Sequence, residues 1–446
     1  MPLPWFFARC QSHTALSILF ALFGLVAVAC LAVLMPPFQN PDESDHFMRA
    51  YQVSRLVPIG HRLGPGLAGG AIDTGLIQAI EPGQGAASPA AWTGTEDEAA
   101  FPNTAVYPPL LYLPAAAAIA IGKLAHLKVV ATLILARLLT GGVAVLIGAV
   151  AIAASATAAP WLFTVLCLPA SLAQIASPSQ DALMFALAAA AAAPIAKALR
   201  QGVPPSRRAF WGSVVALAVI AQARPPYAVL ALLLLPLPQT GLRQRLAGLA
   251  VVAAACLGWA AYAASQAFVN FNLDLPPGMA PDALAQLGLL AHEPTRVLVV
   301  LWHTARPMAS TYWLGLLGRL GPEDIWLPRA GYEAATVVVV LAGLLCLRGE
   351  GPAPRLARAL AVLAVLGLGV LAILGLQYIA HTPVGATSVA GIQGRYFLPL
   401  LLFLAAALPA CRPAGWAWAG PLVLVAAFPL VSLAASLQAI AMRYLL

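Results

Sequence analysis

The chain has 446 residues, of which 61% are apolar and only 9% charged, and a formal net charge of +8. A soluble chain carries roughly a quarter charged residues, so a soluble globular protein is excluded. The positive excess is not a nucleic-acid signature, because the arginines sit in short gaps between apolar runs, where a membrane protein holds them on the cytoplasmic side.

Apolar runs of around 20 residues recur from end to end, each long enough to cross a hydrocarbon core of about 30 Å. They are continuous rather than alternating, which excludes a β-barrel. The expected fold is all-α: one polytopic integral membrane domain over 1–446, with about 11–13 crossings. The six cysteines (Cys10, Cys30, Cys167, Cys256, Cys346 and Cys411) show no paired spacing, so no disulfide framework and no structural zinc are expected.

The first run, Thr14–Met35, follows Arg9 and His13. It exceeds the 7–15 residues of a signal-peptide core, which predicts an uncleaved first helix leaving the cytoplasm. Residues 36–106 then form a first outer loop holding half of all carboxylates in the chain, among them Asp73, Glu81, Glu96, Asp97 and Glu98. Its Gly/Pro/Ala-rich middle ("RLGPGLAGGAIDTG", "EPGQGAASPAAWTG") reads as irregular.

"YPPLLYLPAAAAIAIGKL" reads as the return to the membrane, although the parity of crossings between 107 and 181 stays open. A helix after "SPSQDALMF" ends at Lys197 and Arg200, before the basic, cytoplasmic gap "RQGVPPSRR". Two short pieces, about 209–222 and 227–238, form a hairpin with "ARPPY" at its outer tip and Arg243 and Arg245 closing it inside. A helix over about 246–268 leads to a second outer loop, 269–330, whose tryptophans and tyrosine suit an interfacial belt. Helices over about 332–347 and 359–379 flank the basic "RGEGPAPRLAR". A third outer loop, 380–395, precedes a helix over about 396–410 and a last apolar run over about 415–441.

The polar stretch "FQNPDESDHFMRAYQVSRL", Phe38–Leu56, stands at the mouth of the first run. Asn40 suits an N-cap, Pro41 the first helical position, and Asp42 and Glu43 a first turn whose dipole favours acids. Asp42, Asp45, His46 and Arg49 follow i, i+3, i+4, i+7 and share one face of a short amphipathic helix at the outer membrane surface. Two readings are open: the acids cap the helix while His46 and Arg49 anchor it to headgroups, or this face is the working end of the protein.

The "PDE" stretch resembles the loop after the first helix in lipid-to-acceptor glycosyltransferases of the GT-C type, such as the aminoarabinose transferases of lipid A and the protein O-mannosyltransferases. It is more similar still to a bacterial membrane family, domain-of-unknown-function family 2142. The matching stretches are Pro41–Gln52 in the "PDExxHFxRAYQ" pattern, Tyr107–Tyr112, Asp181 and Gln393–Pro399 in "QGRYFLP". Asp45 stands where that pattern has a small residue or proline. The resemblance implies a GT-C-like enzyme of the bacterial inner membrane. It would move a sugar from a polyprenyl-phosphate donor to a cell-envelope glycan or lipid acceptor on the periplasmic face, with Asp42 as catalytic residue.

Such a reaction needs a base at the membrane boundary to take a proton from the acceptor hydroxyl. Asp42 fills that role by topology, with Glu43 and His46 in support, and Asp45 and Arg49 as further substrate contacts. The departing phosphate calls for arginine, whose fork matches it bidentately. Arg395, beside Tyr396, and Arg224 are the candidates, with Asp181 facing the same cavity. Each has a structural alternative: Arg395 as an interfacial anchor, Arg224 as the partner of Asp181, and Asp181 as a helix-cap residue. Arg137 is expected to be structurally paired, and Trp302, His303 and Arg306 to belong to the belt.

No DxD pair, HExxH or P-loop is present, so a nucleotide-sugar or ATP-driven reaction has no support. No cofactor is expected, and a divalent metal is left open without being indicated. The competing functions are a polysaccharide polymerase, a lipid-linked sugar transporter or flippase, and a non-catalytic scaffold. The absent internal repeat and the placing of polar residues in outer loops count against transport. The net acidic first loop counts against the polymerase.

Overall fold

The computed structural model describes residues 13–81, 89–270, 281–347, 356–408 and 419–445. Arg9, Cys10 and Cys411, the gap 348–355 and part of each of the first two outer loops lie outside the described residues. In chain order the helices are α1 (His13–Leu34), α2 (Glu43–Ser54), α3 (Thr74–Ile80), α4 (Leu113–Leu124), α5 (Val129–Ala154), α6 (Ala159–Leu166), α7 (Pro169–Ile175), α8 (Gln180–Gln201) and α9 (Arg207–Ala223). They continue as α10 (Leu242–Gln266), α11 (Ala283–His292), α12 (Arg296–Gly318), α13 (Arg329–Cys346), α14 (Leu356–His381), α15 (Leu398–Phe403) and α16 (Ala419–Tyr444). Short strands lie between them: β1 (His61–Gly64), β2 (Leu67–Asp73), β3 (Glu96–Ala100), β4 (Arg319–Leu320) and β5 (Ile325–Trp326).

The protein is an all-α polytopic membrane protein. Among the described residues, seven helices are long and apolar enough to cross a membrane, or nine if each of two bent pairs is one span. The shorter segments Arg207–Ala223, Pro225–Leu234 and Gly394–Ala406 run alongside them, and with these the count enters the expected range.

Two buried arginines hold the opposite ends of the bundle. The last carbonyls of a helix have no partner within it, and an arginine fork can satisfy several at once. At one end, Arg137 of α5 donates to the carbonyls of Ala32 (2.9 Å), Met35 (2.6 Å) and Pro36 (2.8 Å), at and just beyond the end of α1. At the other, Arg200 of α8 donates to Leu408 (2.8 Å), Ala405 (3.3 Å), Cys346 and the hydroxyl of Thr157 (3.1 Å). The structural pairing expected for Arg137 is present, and its carboxylate partner is Glu43, 2.6 Å away and fully buried.

The first outer loop corrects two expectations. "RLGPGLAGGAID" is not irregular: it forms β1 and β2, which continue antiparallel into β3. Glycine permits this sheet, since a Cβ on Gly69 would collide with the Ala99 backbone. Nor does "YPPLLYLPAAAAIAIGKL" cross the membrane. It forms α4, whose end stays in the loop unit: Lys123 lies 3.5 Å from buried Asp73 and over the rings of Tyr51 and Trp92. Phe47, Tyr51, Ile72, Phe101, Tyr112 and Ile119 form the core of this unit.

With α4 out of the count, the parity resolves. Helix α5 runs away from Arg137 towards the Arg200 end. The pair α6–α7, bent by 80° at Cys167–Leu168 before Pro169, brings the chain back to Asp181. Helices α8 and α9 repeat the excursion, so Arg224 also arrives at the first end. Helix α12 makes its contacts at this same end, where Arg296 donates to Gly385 and Thr304 accepts from the Val389 amide.

Candidate functional site

After α1 the chain turns through Phe38 and Asp42, both in the left-handed backbone region (φ 60° and 54°). That region is uncommon for residues with a side chain and is retained mainly where the surroundings enforce it. Asp42 therefore precedes α2 rather than lying in its first turn, and its carboxylate makes no capping hydrogen bond to the helix. Asn40 does not cap through its side chain either; its Nδ2 donates to Glu43 Oε1 at 2.8 Å.

The Asp42 side chain is 45% exposed and its Oδ2 lies 3.0 Å from Arg395 Nη2. Asn103 Nδ2 approaches the other oxygen at 3.4 Å. Arg395 is only 4% exposed; its Nε donates to Gln393 Oε1 at 2.6 Å and stands 3.5 Å from Glu323. Its Nη1 is buried without a hydrogen-bond partner. A close approach of backbones positions this arginine: a Cβ on Gly394 would strike Gly315 and Leu316 of α12.

Asp181 and Arg224 form a second ion pair, with Arg224 Nη2 2.9 Å from Oδ2 and Nε 3.2 Å from Oδ1. Ser179, not Asp181, caps α8. Tyr396 lies between the two arginines, its ring centre 5.0 Å from the Arg224 guanidinium and 5.7 Å from that of Arg395. Its carbonyl accepts from Tyr227 Oη at 2.8 Å.

His46 Nδ1 is 2.6 Å from Tyr112 Oη, and its ring stacks on Tyr107. Burial pushes the imidazole down to about 4, so His46 is neutral near pH 7. Asp45 moves the other way, up to about 6, first through burial and then through the negative charge of Asp42. Burial also raises the Glu323 carboxyl, although Arg395 and Arg319 oppose it.

These groups surround a cavity of about 750 Å³. Asp42, His46, Asn103, Tyr107, Arg224 and Tyr396 line its polar part. Arg395 lies behind Asp42 and Tyr396, while Asp181 lies behind Arg224; with Gln174 and Tyr227 they border a water-sized pocket. Asp42 and His46 thus share the cavity as their spacing predicts, and Arg224 and Arg395 converge on it from distant segments.

Other predicted residues point elsewhere. Glu43 is buried against Arg137, away from the cavity. Arg49 is fully buried and ties down the loop unit, donating to the carbonyls of Tyr107 (3.1 Å), Val57 (3.2 Å) and Pro58 (2.5 Å). The reason is local: just after a turn, α2 is enclosed by its own loop, so the face expected to meet a ligand meets the backbone instead. Asp45 is not among the cavity residues and takes a hydrogen bond from Ser44. Glu323, absent from the sequence reading, sits on the β4–β5 hairpin at φ 70°. Among the described residues no three His, Cys, Asp or Glu side chains converge as a metal site would require.

The model of a family described as predicted membrane protein, DUF2142, matches residues 25–404. The chain belongs to this family. The match contains every site residue named above, from Asp42 to Arg395, and leaves only α16 beyond its end. No curated protein and no solved structure gives a significant match.

Proposed function

We propose that this DUF2142 protein is a GT-C-like glycosyltransferase of the bacterial inner membrane. It takes a sugar from a polyprenyl-phosphate donor and gives it to a cell-envelope glycan or lipid acceptor at the periplasmic face. The observation that carries the reading is the placement of Asp42. A partly exposed carboxylate, free of capping duty and held in strained backbone, borders a 750 Å³ cavity beside two arginines. A helix cap would have neither feature.

In this reading Asp42 accepts the proton of the acceptor hydroxyl as its oxygen attacks the anomeric carbon. The bond from that carbon to the phosphate oxygen breaks, and polyprenyl phosphate leaves. Arg224 and Arg395 face the charge that develops on it, in a site screened from bulk water where such contacts are strong. Neutral His46, hydrogen-bonded to Tyr112, contacts the acceptor or sugar without competing for the phosphate. The similarity of "PDExxHFxRAYQ" to the catalytic loop of GT-C transferases supports the same roles.

The test is to delete the gene in its host and profile envelope glycans and lipid-linked sugars. Loss of one sugar from a glycan together with accumulation of its polyprenyl-phosphate form is the expected result. An unchanged profile would remove the proposal.

A further inference from the structure

The cavity has a second, apolar half that the chemistry above does not use. Trp259, Ala263 and Phe268 line one side, from α10 and the residues just after it. Ile373, Leu376 and Ala380 of α14 line the other. Both helices pack on the Pro225–Leu234 segment between them yet make few contacts with each other. That segment is a ten-residue 3₁₀ stretch, too short to fill the space a full span would occupy. Of the seven long spans, α10 and α14 are also the least buried, at 22% and 33%. A membrane-embedded space between two lipid-facing helices has only a lipid chain available to fill it. Charge complementarity points to an anionic head: Asp181 holds Nε and Nη2 of Arg224, at the polar end of the same cavity, and leaves Nη1 outside that pair.

We propose that the space between α10 and α14 is a lateral opening that receives the chain of a polyprenyl phosphate, with its phosphate against Arg224. The inference deepens the proposed function and rests on its lipid-linked donor. It adds where in this fold the chain lies and which helices select it. Small residues on α10 (Ala260, Ala263 and Ala264) keep the passage wide.

The test uses the purified full chain with benzoylphenylalanine at Leu376 or, as a control, at Val150 on the lipid-facing side of α5. The protein is placed in phosphatidylcholine nanodiscs doped with polyprenyl phosphate, polyprenol or phosphatidylglycerol, irradiated, and weighed by mass spectrometry. The expected result is a polyprenyl-phosphate adduct at Leu376 and only phosphatidylcholine at Val150. Polyprenol gives less adduct, and Ala260→Trp abolishes capture at Leu376 while leaving Val150 unchanged. Phosphatidylcholine alone at both positions, or preference for phosphatidylglycerol, would overturn the opening. Equal capture of polyprenol would overturn the assignment of Arg224, and this wild-type comparison needs no variant to fold. Capture is read without turnover, so an adduct that persists while glycan profiling finds no transferase defect retains this site and discards the transferase.

Discussion

Asp42 and Arg395 are 353 positions apart in the sequence and 3.0 Å apart in the folded protein. The contact joins the exit of the first span to the start of Gly394–Ala406, and every other charged group of the site is arranged around it. Arg395 touches Asp42, Glu323 and Gln393 at once, so both its charge and its planar fork matter. Arg395→Lys keeps the charge but not the fork. It is expected to accumulate in the membrane as wild type does and to fail in complementation of a deletion strain. Full rescue by lysine would show that a point charge suffices.

Glu323 is the second carboxylate on Arg395, and its strained backbone and buried side chain have no evident structural need. When Asp42 accepts a proton its hold on Arg395 weakens, and Glu323 keeps the guanidinium in place. Glu323→Gln is therefore expected to lower turnover by roughly tenfold, a loss of about 1.4 kcal/mol of transition-state stabilisation. The pH profile of activity should shift with it. A variant with unchanged rate and profile would make Glu323 a bystander.

Asp45 and His46, adjacent in α2, respond to pH with opposite sign. The Asp45 carboxyl is raised in the folded chain from 3.8 to about 6, so its contribution is full below 3.8 and is lost as pH rises through 6. The His46 imidazole is lowered from 6.5 to about 4, so its contribution is full above 6.5 and is lost as pH falls through 4. Each is worth roughly 3 kcal/mol at full strength, and between pH 4 and 6 they offset one another. Thermal unfolding in detergent is expected to vary little across that range in wild type. Asp45→Asn should become more stable with rising pH, and His46→Gln less stable. Parallel curves for all three proteins would contradict this.

Glu43 and Arg137 form a pair with almost no exposure, 1% and 0% of their side chains. Removing one partner strands the other charge, which costs roughly 3–5 kcal/mol in buried pairs. Glu43→Gln should therefore lower the unfolding temperature sharply, whereas Glu43→Gln with Arg137→Met should recover part of the loss. A Glu43→Gln protein of normal stability but no activity would instead return Glu43 to the chemistry.

Much of the architecture was legible because the membrane imposes it: apolar runs of spanning length, arginine-rich gaps and an acidic outer loop are one-dimensional signals. The pairing of Arg224 with Asp181 was legible for the same reason, since a cation beside a broken apolar helix requires a partner. Helix α4 was misread because alanine-rich packing inside a loop unit has the same hydropathy as a span. Glu43 and Arg49 were misassigned because helical periodicity says which residues share a face, not what that face meets. Glu323 carried no signal in "GPEDIW"; only the fold brings that turn to Arg395.

The most direct measurement is complementation of the deletion strain with Asp42→Asn, at matched protein level, read as the amount of sugar restored to the envelope glycan. The account predicts a folded, membrane-inserted protein that restores none, with the polyprenyl-phosphate sugar still accumulating. Restoration to the wild-type level would contradict it, and would make Asp42 a partner of Arg395 in structure alone.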